Sequence, residues 1–206
     1  MTIEQGTRRI ILASQSQSRR RMLQAAGLTF ETVASSVDEP KLRVHLEKSR
    51  SVTGPETIAR ELAAAKAIDV SLANPAALVI GGDQVLALGQ RIFEKPADLM
   101  AARQQLSELR GKQHQLVSAV VLAVGGVCIW SHAEAATMSV RAFTPSFLDG
   151  YLEQAGTVVC QSVGAYQLEG SGAQLFERIE GDYFTILGLP LIALLCELRA
   201  QGALAT

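Results

Sequence analysis

The sequence has few of the residues that announce a functional class. Its three cysteines (Cys128, Cys160, Cys196) are far apart and odd in number, and its three histidines (His45, His114, His132) are equally scattered. Neither a zinc cluster, a disulfide scaffold nor a histidine-based triad follows from such spacing. Cysteines set among apolar neighbours read instead as buried free thiols in a reducing cytosol. An excess of one charge is also missing. Nineteen Lys and Arg against twenty Asp and Glu leave a formal net charge of -1. That balance argues against nucleic acid as a partner, while a phosphate pocket needs only two or three cations. Long apolar runs are absent as well. The most apolar run, ILGLPLIALLCEL, has about 13 residues where roughly 20 are needed to span a bilayer, so no membrane association is expected. The start, MTIEQGTRRIILAS, has no long apolar stretch after its basic pair and does not read as a secretory signal; a cytoplasmic protein is expected.

What remains is a 206-residue chain, 48% hydrophobic and 19% charged, without repeats, low-complexity tracts or a dividing linker. Such a chain can bury a sizeable core as a single domain, 1–206, or as two closely joined lobes. The apolar run at 9–13 predicts a buried strand, and 19–26 a helix stopped by Gly27. A strand is expected near 29–34 and an irregular charged segment over 36–55. A helix follows from Glu56 to about Val70, with Ile58, Leu62 and Ala65 on one face. ALVIGGDQVLAL reads as a strand interrupted at Gly81-Gly82, turning back at Gly89-Gln90. Asp98 caps a helix through Arg110, and the runs 115–124 and 127–143 form a hairpin joined by Gly125-Gly126. Thr144-Pro145 opens a helix to Gly156, a strand is expected near 157–160, and a buried helix begins at Pro190. Hairpins with intervening helices indicate an α/β or mixed α+β fold.

Several residues can carry chemistry. In ILASQSQSRRRML a strand, a polar turn and a basic helix follow one another. Helix N-termini attract anions; Ser14 and Ser16 add hydroxyls and Arg19 a bidentate fork. The plainer alternative is a capped helix with a solvated basic face. Asp83 follows an apolar strand and two glycines, where a carboxylate can hold a metal or position water and the glycines let a ligand approach. One of Asp38 and Glu39, together with Asp83, can share a Mg²⁺ with bridging phosphates. Lys66 stands on an alanine-lined helix, Lys95 precedes a proline turn, and Glu169 lies between an aromatic-containing strand and two glycines.

In order, these blocks resemble the Maf family pattern. LASxSPRRxxLLxxxG corresponds to LASQSQSRRRMLQAAG; then come VDE, LAxxKA as LAAAKA, GxDxV as GGDQV, KPxD as KPAD, and finally GSGAQLFERIEGDYFTILGLPL. The resemblance covers nearly the whole chain. It implies an elongated α/β fold with a central cleft between two lobes, related to inosine-triphosphate pyrophosphatases. It further implies Mg²⁺-dependent hydrolysis of a nucleoside triphosphate to the monophosphate and pyrophosphate. Apart from the resemblance, a homodimer is expected. Carried onto matching positions, Ser14, Arg19, Lys66 and Lys95 would bind phosphate. Glu39 and Asp83 would serve the metal and the attacking water, with Asp83 as proton acceptor.

Three positions divide the family by substrate, here Ser18, Gln84 and Glu169. The branch that hydrolyses dTTP and UTP usually has Arg, Thr and Gln there; the 7-methyl-GTP branch usually has Trp, Gln and Glu. Gln84 and Glu169 favour 7-methyl-GTP, since an ionised glutamate accepts from guanine N1–H and N2–H₂ together. Three residues depart from the pattern: Ser18 replaces a large side chain, Gln17 replaces proline, and Glu94 replaces a glycine and is expected to face solvent. The alternatives are a dTTP/UTP or broad-range pyrophosphatase and, from another class, a regulator of cell division and septum formation.

Overall fold

A computed structural model describes residues 8–48 and 54–205. Residues 1–7, which carry most of the expectation about a secretory signal, and 49–53, from the segment expected to be irregular, lie outside the described residues. Among those described, no helix is long and apolar enough to cross a membrane.

The architecture is mixed α/β, built on one seven-stranded sheet of order β2-β1-β3-β5-β6-β7, with β4 pairing β3 off that path. β1 (Ile10–Ala13) and β2 (Glu31–Thr32) run parallel, joined by helix α1 (Gln17–Ala25). β1 also runs parallel to β3 (Leu78–Leu88), after α2 (Glu39–Lys48) and α3 (Pro55–Ala73). The remaining pairings are antiparallel: β4 (Arg91–Phe93), then β5 (Gln113–Val124) and β6 (Val127–Val140), which form the predicted hairpin, and β7 (Phe176–Glu180). Parallel pairs need crossover helices, which is why α1 and α3 lie on the sheet faces. Around these strands pack α4 (Leu99–Leu109), α5 (Pro145–Ala155), the single-turn α6 (Tyr183–Ile186) and α7 (Leu191–Ala200).

Alternation along β3 divides the core. Val79 and Val85 face Ile58, Leu62 and Val70 of α3. Leu78 and Ile80 face the opposite way, toward Leu23 of α1 and Leu194 and Leu198 of α7. A third cluster sets Leu86 and Leu116 against Leu106 and Leu109 of α4, Leu148 of α5, and Phe143 just before α5.

Several expectations are corrected here. β3 is continuous through Gly81-Gly82, because β5 pairs with it from Val79 to Ala87. The strand expected at 29–34 shrinks to Glu31–Thr32, and the segment expected to be irregular contains α2. Residues 157–160 form part of a 3₁₀ turn, Gly156–Gln161, in which only Val159 is buried. β-branched propensity makes no strand there, since no sheet edge receives it. Of the expected buried thiols, Cys128 and Cys196 are exposed and Cys160 is half-buried, though all three are free. α7 buries Leu191, Leu194 and Leu198 but leaves Ile192 57% exposed. β7 and α6 were not expected at all.

Candidate active site

The site arises where β3 outruns its neighbour. β1 pairs with Leu78–Gly81 and ends at Ala13, while on the same side β4 pairs with β3 only from Leu86 onward. Gly82 to Val85 therefore have a strand partner only on the β5 side. The chain leaving β1, Ser14 to Ser16, turns across this notch into α1. Asp83 sits in the notch, 5% exposed, on the face of β3 that meets α3.

The two glycines before it accept protein rather than ligand, which corrects the expectation drawn from the sequence. A Cβ on Gly81 would lie 2.2 Å from the Ala63 carbonyl oxygen and 2.8 Å from Ala67 Cβ, so α3 rests directly on the strand. A Cβ on Gly82 would lie 3.1 Å from Arg19 Nε, on the other face. Gly81 thus brings Lys66, one turn along α3, within reach of Asp83, and Gly82 seats Arg19.

Lys66 is buried, and its Nζ donates to Asp83 Oδ1 at 2.7 Å and to Glu39 Oε2 at 3.0 Å. Glu39 opens α2, and the segment before it is tied to α3: Ser35 Oγ, Ser36 Oγ and the Ser36 N–H all donate to Asp69. Arg19 is buried at the opposite wall. Its Nε donates to the Gly188 carbonyl at 2.7 Å and its Nη1 to Ser14 Oγ at 3.2 Å. Gly188 turns its carbonyl to Arg19 with φ at +102°, a conformation that favours glycine. Ser14 Oγ accepts a second time from the Ser16 N–H, and Ser16 caps α1 by accepting from the Arg19 N–H. The neighbouring Arg20 and Arg21 are exposed.

Electrostatics couple these groups. Burial raises the Glu39 pKa, but Lys66, Arg19 and Lys95 together outweigh it and hold the carboxyl below its ordinary 4.5. Desolvation lowers the pKa of Arg19, opposed by Asp83 and Glu39; a guanidinium remains charged regardless. Lys95 stands exposed after β4, and its pKa is lowered by partial desolvation and by the positive charges of Arg19 and Lys66.

Gln84 points to the other face of β3, where its Nε2 donates to Ser118 Oγ, Thr185 O and Ile186 O. Two of those partners are carbonyls, which can only accept, so the amide cannot be reversed and its oxygen is left as the free edge. Ser18 Oγ donates to the Leu187 carbonyl, so α6 and the turn after it are pinned to both α1 and β3. Glu94 is exposed, 3.9 Å from Arg43 Nε. Glu169 is exposed on the turn before the 3₁₀ segment Ser171–Leu175; none of the described contacts joins it to the Asp83 cluster.

One residue was missed. Arg43, one turn after Glu39 on α2, lies 3.8 Å from Asp83 Oδ2, with its side chain 12% exposed. The i, i+4 spacing from Glu39 is a signal for it, hidden by the expectation of irregular structure. Both Asp83 Oδ2 and Arg43 Nη1 are buried without a hydrogen-bond partner.

No group of three or more His, Cys, Asp or Glu among the described residues can hold a metal by itself. The donor set fits a magnesium ion bound jointly with phosphates, which needs only one or two carboxylates. Asp83 Oδ2 is the unpartnered buried acceptor of that kind, and Glu39 is the half-exposed second carboxylate.

Residues 9–201 match the family model for Maf-like proteins. The chain belongs to the Maf family. The 7-methyl-GTP pyrophosphatase of Brucella abortus biovar 1 (strain 9-941) is 50% identical to this Maf chain over 195 residues, covering 95% of this chain and 97% of that protein. The nucleoside triphosphate pyrophosphatase of Paramagnetospirillum magneticum (strain ATCC 700264 / AMB-1) is 50% identical over 194 residues, covering 94% and 99%. Among solved structures, the Staphylococcus aureus Ham1 protein matches with a TM-score of 0.46 and 12% identity, over 94% of this chain and 100% of that one. At that level it adds nothing to the family assignment.

Proposed function

We propose that this Maf protein hydrolyses a nucleoside triphosphate to its monophosphate and pyrophosphate, with 7-methyl-GTP as the preferred substrate. One observation carries the activity. A buried carboxylate, Asp83, keeps one oxygen without a partner inside a notch lined by Arg19, Lys66 and Arg43, with Lys95 at its edge. Leaving a buried carboxylate oxygen unpaired costs more than the roughly 1–3 kcal/mol of a neutral group, a cost that folding alone does not require. Bound substrate supplies what is missing.

In this reading Asp83 accepts a proton from water, which attacks the α-phosphorus. The bond from that phosphorus to the bridging oxygen breaks, and the electron pair leaves with pyrophosphate. Lys66 aims Asp83 by donating to Oδ1, which leaves Oδ2 as the edge turned to the water. Arg19 and Lys95 neutralise the triphosphate, and the Ser14 hydroxyl, its oxygen already accepting twice, donates to a phosphate oxygen. Magnesium held by Glu39, Asp83 and the phosphates would supply charge neutralisation at the phosphoryl oxygens. No residue here is needed as a covalent nucleophile.

Substrate preference rests on the 50% identity to a 7-methyl-GTP pyrophosphatase and on Gln84, locked as an acceptor toward a base that offers donors. Glu169 would be the second acceptor, carried in on the loop before Ser171. The test is a panel of 7-methyl-GTP, GTP, UTP and dTTP with Mg²⁺, assayed for pyrophosphate. Highest kcat/KM on 7-methyl-GTP is expected; a preference for UTP or dTTP would reject the substrate, and no pyrophosphate from any nucleotide would reject the activity.

A further inference from the structure

Arg43 has no settled place in the folded chain. Its guanidinium is almost wholly buried, yet its two carboxylate neighbours stand outside hydrogen-bond reach: Asp83 Oδ2 at 3.8 Å and Glu94 Oε1 at 3.9 Å. Nη1 has no partner. A fork satisfied by structural partners would close on a carboxylate at about 2.7–2.9 Å, as charge-assisted pairs do. Arg9 shows the ordinary pattern in this same chain, donating Nε and Nη2 to the two oxygens of Glu31 at 2.6 Å each. Arg43 instead holds its charge beside Asp83 without closing on it. The unpaired nitrogen and the unpaired oxygen belong to neighbouring groups of opposite sign, so whatever lies between them must accept from one and offer positive charge or a proton to the other.

We propose that Arg43 is a substrate-contacting residue that donates Nη1 to a non-bridging oxygen of the α-phosphoryl group. The position selects that phosphate. Asp83 orients the water, the water attacks from about 3–3.5 Å, and the leaving pyrophosphate departs on the far side of the phosphorus. A guanidinium 3.8 Å from the Asp83 carboxylate is therefore beside the reacting phosphorus, whereas the β- and γ-phosphates lie farther off. There it stabilises charge that shifts during the reaction, and its loss falls on kcat more than on KM. Helix α2 becomes a working part of the site, bringing Glu39 and Arg43 in from successive turns of one face.

Because this placement rests on the pyrophosphatase reading above, the experiment separates the two. Wild-type protein, Arg43→Ala and Arg43→Lys are assayed for pyrophosphate release from 7-methyl-GTP, with and without a few millimolar guanidinium chloride. The expected result is a kcat about a hundredfold lower in Arg43→Ala with KM changed less than threefold, partial recovery on adding guanidinium, and an intermediate kcat in Arg43→Lys. Wild-type kcat in Arg43→Ala would overturn the role of Arg43 while leaving the activity intact. A rise in KM without a fall in kcat would overturn the α-phosphoryl placement. If Arg43→Ala does not fold, Arg43→Lys decides: a kcat at least fivefold below wild type supports the contact, and an equal one rejects it. A wild-type protein that releases no pyrophosphate from any nucleotide of the panel removes both readings together.

Discussion

Asp83 and His114 sit on adjacent strands of one sheet, 5% and 2% exposed, and each centres a buried polar cluster. Their surroundings differ in kind. Around Asp83 the groups are charged and incompletely paired: Lys66 satisfies one oxygen and nothing satisfies the other. Around His114 they are neutral. Its Nε2 is hydrogen-bonded to Tyr166 Oη at 2.7 Å, and the ring packs against Tyr166 and Phe176. Burial lowers the His114 pKa to about 4 and raises that of Tyr166 well above 10, so both remain uncharged at neutral pH. His114 Nδ1 also lacks a partner, but a neutral ring nitrogen is far cheaper to leave unpaired than a carboxylate oxygen. Burial of polar groups therefore does not by itself mark a site. Buried charge without full pairing does.

That contrast can be broken or sharpened by substitution. The largest effect is expected from Asp83→Asn, which should reduce pyrophosphate release at least a thousandfold while leaving the circular-dichroism spectrum unchanged. Activity retained within tenfold would place the proton acceptor elsewhere. Next, Lys66→Met leaves Asp83 and Glu39 together without their shared cation. Removing one partner of a buried pair should cost about 3 kcal/mol in urea unfolding, with activity lost as well; stability within 1 kcal/mol of wild type would show that the cation is dispensable to folding.

The neutral cluster responds to pH instead. The folded pKa of His114 lies below its ordinary 6.5, so the unfolded chain binds the extra proton first as pH falls. The stability associated with the neutral ring is complete above about 6.5 and is lost progressively down to about 4. The drop to about 4 corresponds to roughly 3 kcal/mol. His114→Gln should flatten that part of the stability–pH curve and leave pyrophosphate release at neutral pH within twofold. A curve as steep as that of wild type would assign the dependence to other groups. Tyr166→Phe removes one hydrogen bond and should cost about 1 kcal/mol with kcat unchanged. Smallest of all, Glu94→Gln alters an exposed carboxylate at 3.9 Å from its partner and should shift stability by under about 0.5 kcal/mol.

Much of the first cluster was legible along the chain. Ser14 and Arg19 stand at element ends, Lys66 within an apolar helix and Asp83 within an apolar strand, where a polar residue is conspicuous. The structure gathers them with Glu39 around one notch. Glu169 was named on the same footing, yet it remains exposed on its own loop. Arg43 was passed over because residues 36–55, rich in charge and weak in periodicity, gave no sign of α2. The hydrogen bonds of Ser35 and Ser36 to Asp69, which hold the start of that helix on α3, span more than thirty residues. Tyr166 drew no notice as a partner for His114, since 52 positions separate them.

The sequence by itself determined β1, α1, the apolar face of α3, the β5–β6 hairpin, and the membership carried by the spaced motifs. These are local matters of periodicity, capping and residue chemistry. Only the tertiary structure decided that β1 stops short along β3 and opens the notch at Asp83. It also decided that Gly81 and Gly82 serve α3 and Arg19, and that Lys66 bonds two carboxylates rather than standing free. It alone brought Arg43 beside the carboxylate. Those outcomes depend on register and on contacts between distant segments, where a shift of one residue reverses which face of a strand a side chain occupies.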